Sequence, residues 1–173
     1  YCDLTLPDNM PQIWQIASIV AVSVDNSPIG AFALADSLKE DSLQAIQRLH
    51  QHNIDVVMMS GDQQSVVDYV AKQVGVKTAQ GNCSPRDKAA YIEALRQQGK
   101  VVAMVGDGVN DAPALAMANV SFAMKSGSDV AEQTASATLM QHSVDQLVDG
   151  LMISRATLKN IKQNLFFALI YNV

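Results

Sequence analysis

The sequence predicts an α/β fold with a doubly wound parallel sheet, preceded by a β-hairpin and followed by a long helix. Three observations carry the prediction. Short β-rich apolar runs alternate with segments whose apolar residues recur every three to four positions. The segments that follow the strands are rich in Gly, Ser, Asp and Asn, which belong at the carboxyl ends of strands, where such sheets hold ligands. No repeat or low-complexity tract interrupts the alternation, and 173 residues with 49% hydrophobic content suffice for one substantial core.

Taken in order, residues 1–17 carry no readable pattern. Runs 19–24 and 29–35 are β-rich and flank Asp25-Asn26-Ser27-Pro28, the composition of a hairpin turn. Leu43, Ile46 and Leu49 then recur at helical spacing, and Asn53 precedes the apolar run 54–59, which reads as a buried strand. Asp62 is expected to cap the next helix, whose Val66, Val67, Val70 and Val74 form one stripe, and Gly75 to end it. Ser84-Pro85-Arg86-Asp87 combines a cap residue, a first-turn proline and a capping-box acid, with Ala89, Ile92 and Leu95 as the apolar face behind it. Residues 101–105 read as a fully buried strand, followed by a loop, a helix to about Ala118 and a strand over 120–124. From Val144 onward Leu147, Leu151, Leu158, Ile161 and Leu165 keep a spacing of three to four. No Gly or Pro interrupts 151–173, so one long helix is expected there.

Composition excludes several classes. Net charge is −5 with scattered Lys and Arg, so no phosphate-backbone footprint exists and nucleic acid is not an expected partner. Cys2 and Cys83 lie far apart with no CxxC pair, which implies reduced thiols rather than a disulfide framework or zinc site. His50, His52 and His142 have no partner at ligand spacing and read as surface histidines. No signal peptide opens the chain, and its longest apolar run, 165–173, is well short of the roughly 20 residues that span a bilayer. The expectation is a polypeptide that is soluble or truncated at a membrane.

The most informative stretch is Val105-Gly106-Asp107-Gly108-Val109-Asn110-Asp111-Ala112-Pro113-Ala114-Leu115. It places two carboxylates, an amide and two glycines between an apolar strand and a helix opened by proline. Asp107 and Asp111 can reach one Mg²⁺, and Asn110 one oxyanion. A plain strand-to-helix turn has similar composition, but not over eleven consecutive residues. Ser60-Gly61-Asp62 also follows a strand, so the Ser60 hydroxyl and the amides opening the helix can donate to a phosphoryl group. Lys88 lies one turn into its helix, where a cation opposes the helix dipole and needs another reason to be present.

The run GDGVNDAPALAMA, 106–118, closely resembles the hinge signature of P-type ATPases. These pumps phosphorylate an aspartate in a haloacid-dehalogenase-like domain and couple this to ion transport. The resemblance implies roles for further residues. Ser60-Gly61-Asp62 resembles the family's second motif. Pro85-Arg86-Asp87-Lys88 matches its P-x-x-K context, in which the lysine neutralises the phosphoryl oxygens and the attacking carboxylate. Asp36-Ser37-Leu38-Lys39 resembles its hinge element, which puts Asp36 and Lys39 near bound ATP. The nucleophile motif Asp-Lys-Thr-Gly-Thr is absent, so the resemblance implies a chain inactive by itself. It divides the chain into a remnant of the nucleotide-binding domain (1–35), a phosphorylation domain lacking its first strand (36–145), and a stalk with the start of a transmembrane helix (146–173).

Lys159 and Lys162 precede the final apolar run, as on the cytosolic side of a membrane helix. Lys162-Gln163-Asn164-Leu165 and Ala168 through Asn172 match the corresponding helix of copper pumps, where a Tyr-Asn pair such as Tyr171-Asn172 lines the transport site. The resemblance therefore implies a Cu⁺ or Ag⁺ pump of the heavy-metal branch, with Mg²⁺ and ATP as cofactors. It places the chain at a cell membrane, this portion being cytoplasmic, alongside the pump's actuator, nucleotide-binding and transmembrane parts. Two departures stand out: Ser121-Phe122-Ala123-Met124-Lys125 replaces the usual Gly-Ile-Ala-Met-Gly, and Ser128 replaces a usual Thr. Two alternatives stay open: a stand-alone Mg²⁺-dependent haloacid-dehalogenase-like phosphatase, and a non-catalytic nucleotide- or partner-binding module.

Overall fold

The computed structural model describes residues 14, 16–25, 27–34, 37–107, 109–125, 129–140 and 143–171. Strands β1 (Ser18–Val24) and β2 (Ser27–Leu34) form the expected antiparallel hairpin, with Asp25 at φ 48° in its turn and a bulge between Val22 and Ser23. Asn26 of that turn lies outside the described residues. Ile19, Val20, Val24, Ile29, Phe32 and Leu34 are all exposed, so the hairpin brings apolar surface but encloses no core.

Helix α1 (Ser42–Gln51) buries Ala45, Ile46 and Leu49, the stripe that its sequence spacing sets up. Asn53, at φ 57°, turns the chain towards β3 (Val57–Met59), which is shorter and less enclosed than the apolar run 54–59 suggests. Helix α2 (Gln64–Val74) buries Val67, Ala71 and Val74 and ends at Gly75, whose φ of 78° is the left-handed cap glycine adopts without strain. Asp62 does not cap α2. The helix begins after Gln63, because the Asp62 carboxylate accepts the Ser60 hydroxyl at 2.7 Å instead.

Strand β4 (Thr78–Gln80) pairs parallel with β3 and has no counterpart in the sequence reading. Three residues are too few to show a period. Helix α3 (Pro85–Gln97) opens on the predicted capping box: the Asp87 amide donates to Ser84 Oγ at 3.2 Å and the Ser84 amide to Asp87 Oδ2 at 2.8 Å.

Strand β5 (Ala103–Gly106) starts later than expected, with Val101 85% exposed and the Val102 amide bonded to the Asn119 side chain at 2.9 Å. A 3-10 turn (Val109–Asp111) leads into α4 (Ala112–Met117), then β6 (Val120–Met124). Helix α5 (Asp129–Thr134) and β7 (Ala137–Leu139) were not legible in the sequence. They are held from inside, by Ala131 and Leu139 and by a Ser121–Ser136 hydroxyl pair at 3.2 Å.

The architecture is the expected parallel α/β fold, but among the described residues its parallel strands stand in two sheets, β3-β4 and β5-β6-β7, apart from the β1-β2 hairpin. Among the described residues β3 pairs only with β4, and β5 only with β6. The apolar interior is divided in the same way. One cluster joins α1, α2 and the start of α6 (Val144–Tyr171), and another joins Leu115, Ala123 and Ala131. Helix α6 is the long helix that the periodicity predicts. Leu147 and Val148 are buried, whereas the residues from Ile153 to Tyr171 are exposed. Among the described residues no helix is long and apolar enough to cross a membrane.

Candidate functional site

The loop after β3 is stitched to the loop after β4. The Ser60 amide donates to the Gln80 carbonyl at 2.9 Å, Cys83 N–H to Ser60 O at 2.9 Å, and Asn82 N–H to Asp62 O at 2.6 Å. Gly81 is obligatory in this stitch, since a Cβ there would lie 2.6 Å from Gln64 Cα and 2.8 Å from Asp62 O. The Gln64 side chain fixes the same turn, accepting the Gly81 amide at 2.6 Å. Within the loop the Ser60 hydroxyl is oriented by Asp62, and the Asp62 amide returns a longer bond of 3.3 Å to Ser60 Oγ. The loop is thereby fixed to residues 80–83, which lead directly into α3.

Lys88 projects from the first turn of α3 onto Asp111, with Nζ 2.8 Å from Oδ1. Their side chains are only 15% and 11% exposed, so this is a largely desolvated pair. It explains the cation near a helix N-terminus: the carboxylate of Asp111 outweighs the opposing dipole. The other Asp111 oxygen accepts the Asp107 amide at 3.4 Å. Gly106 makes room for this carboxylate, because a Cβ there would sit 2.7 Å from Asp111 Cβ and 2.9 Å from Oδ2. Asp111 is therefore turned inward and engaged, while Asp107 and Asn110 stand exposed at the end of β5 and on the 3-10 turn.

The fold thus links Ser60, Gly61 and Asp62, through the turn into α3, to Lys88, Asp111, Asp107 and Asn110. Lys39 lies exposed in the loop before α1, and Tyr171 is 86% exposed at the end of α6. Asp36 and Asn172, expected beside nucleotide and transported ion, lie outside the described residues, as do Gly108, Ser128, His142 and Cys2. His50 departs from the surface reading: it is half-buried, and its Nε2 is enclosed without a hydrogen-bond partner. Among the described residues no three or more His, Cys, Asp or Glu side chains gather to hold a metal.

No local pattern marks Gln64 or Gly81, and the expected metal role of Asp111 carries no sign of its bond to Lys88. Only the misplaced cation at Lys88 signalled that a buried acid faced it. Asp87, beside Lys88, titrates below the usual carboxylate range, chiefly because the Ser84 side chain bonds it and then because the Ser84 backbone does.

Residues 8–119 match the haloacid dehalogenase-like hydrolases. Over all 173 residues the chain is 75% identical to a probable cation-transporting ATPase of Haemophilus influenzae, covering 24% of that protein. It is 45% identical over 168 residues to a copper-exporting P-type ATPase of Vibrio cholerae, covering 97% of this chain and 18% of the relative. The fold superposes on a zinc-transporting PIB-type ATPase in its E2.Pi state with a TM-score of 0.84 and 35% identity, covering 91% of this chain and 26% of that one. The chain spans about a quarter or less of the length of these proteins. With the family matched over residues 8–119 and homology running through the C-terminal helix, the chain belongs to the haloacid dehalogenase-like hydrolases and is homologous to one part of the P-type ATPases.

Proposed function

We propose that this chain is the phosphoryl-handling part of an ATP-driven heavy-metal pump that moves Cu⁺ or Ag⁺. The observation that carries the reading is the Lys88–Asp111 pair set against an exposed Asp107 at the end of β5. This arrangement supplies a fixed cation and a free hard-oxygen donor at the carboxyl end of a parallel strand. Asp107 fits Mg²⁺ as a direct ligand, with Asp111 supporting it from its place on Lys88. Mg²⁺ held there would neutralise charge on the transferred phosphoryl group.

The chain's own residues bind and orient that group. Ser60 offers its hydroxyl to the group when it releases Asp62, and the Gly61 amide, with the Asp62 amide freed from Ser60 Oγ, adds donors. Lys88 offsets repulsion between the phosphoryl oxygens and an attacking carboxylate, and Asn110 contributes an amide. Asp36 and Lys39 serve the nucleotide. The carboxylate nucleophile is assigned to a strand outside this chain. The edges of β3 and β5 that lack partners among the described residues support this assignment, because one further strand pairing with both would join the sheets.

In this reading 1–35 belongs to the nucleotide-binding domain, 36–145 to the phosphorylation domain and 146–173 to the stalk. Tyr171 and Asn172 line the ion path within a cell membrane, and the rest of the chain is cytoplasmic. The copper choice is supported by relatives named as copper exporters, and the zinc-transporting structural neighbour supplies the competing choice. The long α6 and the homology over all 173 residues of this chain disfavour a stand-alone phosphatase or a non-catalytic module. The test is Asp107→Asn in the intact protein, followed by phosphoenzyme formation from labelled ATP. Loss of the phosphoenzyme is expected, and wild-type levels would remove the assignment.

A further inference from the structure

Lys125 follows the last residue of β6, and its backbone is placed from both sides. In the parallel ladder Gly106 pairs with Ala123, so Asp107 stands one residue and Lys125 two residues past that pair, at the carboxyl ends of adjacent strands. On the other side Met124 pairs with Leu139 of β7, and the Lys125 amide donates to the Leu139 carbonyl at 3.0 Å. With about 4.8 Å between strands and about 3.3 Å of rise per residue, the Lys125 ammonium is within reach of a group held at Asp107.

Strand alternation puts Lys125 on the face shared by Ala123 and Gly106, the face on which the Asp111 carboxylate is lodged against Gly106. The charges gathered there are not matched alike. Lys88 is paired with Asp111 at 2.8 Å, whereas Lys125 and Asp107 are both exposed and neither makes an ion pair among the described residues. Lys125 is also the residue that replaces the last glycine of the usual Gly-Ile-Ala-Met-Gly. A strand end that is otherwise without a side chain thus carries a full positive charge.

We propose that Lys125 is a specificity-determining residue of the phosphoryl site, whose ammonium favours a tetrahedral oxyanion bound there and disfavours the divalent cation held by Asp107. The inference rests on the phosphoryl-handling reading, because it needs both an anion and Mg²⁺ at this end of the sheet. Its signature follows from the sign of Coulomb's law: one fixed charge moves the affinities for an anion and for a dication in opposite directions. A residue that only held the loop in shape would weaken both or neither.

The test uses the intact protein and two probes, both titrated calorimetrically: Mg²⁺ without nucleotide or oxyanion, and orthovanadate at saturating Mg²⁺. Lys125→Met keeps the length of the side chain and removes the charge. It is expected to weaken orthovanadate about fivefold and to tighten Mg²⁺ by about the same factor, the size of a unit charge acting close by through water. Lys125→Arg, which keeps the charge, leaves both affinities within about twofold of wild type. Because Lys125 is exposed, the differences shrink as salt is raised to about 1 M. Two affinities that move together, or only one that moves, or neither, overturn the proposal, as do differences that persist undiminished at high salt. A wild-type protein that binds neither Mg²⁺ nor orthovanadate removes the phosphoryl-handling reading itself, before any variant is compared.

Discussion

Lys88 and Asp111 form a pair whose value depends on its burial. With side chains 15% and 11% exposed, removing the lysine leaves a carboxylate without its counter-ion in a poorly solvated place. Lys88→Ala is therefore expected to destabilise the chain by about 3 kcal/mol, read as a shift of the urea midpoint, besides slowing phosphorylation. A wild-type midpoint would show that Asp111 finds another partner. Gly106 tests the same geometry from the backbone side. Gly106→Ala pushes a methyl to 2.7 Å from Asp111 Cβ, so overpacking of about 1–3 kcal/mol is expected together with loss of the Lys88 contact. An unchanged melting temperature and an intact phosphoenzyme would mean that the turn relaxes at little cost.

Among the elements, α3 carries Lys88, so the integrity of its first turn bears on the site. Ser84→Ala removes the acceptor of the Asp87 amide and should cost about 1 kcal/mol in stability. The cap also predicts a pH dependence. Bonding from Ser84, side chain first and backbone second, holds Asp87 below its ordinary 3.8 in the folded state. A depressed folded value means that the contribution is complete above the unfolded pKa and is lost as pH falls through the folded one. Urea midpoints should therefore fall on acidification below the ordinary carboxylate range. Asp87→Asn should fall less over the same window, the difference being small because the group is exposed. Equal acid sensitivity in the two proteins would assign the effect to other carboxylates.

For the molecule as a whole, the proposed ion specificity rests, in the pump reading, on α6 and what surrounds it. Tyr171 and Asn172 offer hydroxyl and amide groups, whereas a soft monovalent ion also wants thiolate or thioether ligands from a neighbouring helix. In the intact protein, ATPase activity is expected to rise with Cu⁺ or Ag⁺ and not with Zn²⁺ or Cd²⁺. Stimulation by Zn²⁺ or Cd²⁺ alone would overturn the copper choice while leaving the P-type relationship in place.

What the sequence determined by itself was whatever short-range chemistry encodes. The capping box at Ser84 and Asp87, the cap at Gly75, the stripe of α1 and the length of α6 all follow from residues within a turn or two of each other. The eleven-residue run beginning at Val105 was legible for the same reason, since its glycines and carboxylates are contiguous. Tertiary structure decided the rest. Asp111 turned to Lys88 twenty-three positions away, and the exposed Val101 was left off β5. The short strands β4 and β7 and the separation into two sheets also came from outside the local sequence. Strand pairing and buried ion pairs are set by which distant groups meet and what solvent they lose, and no local period records that.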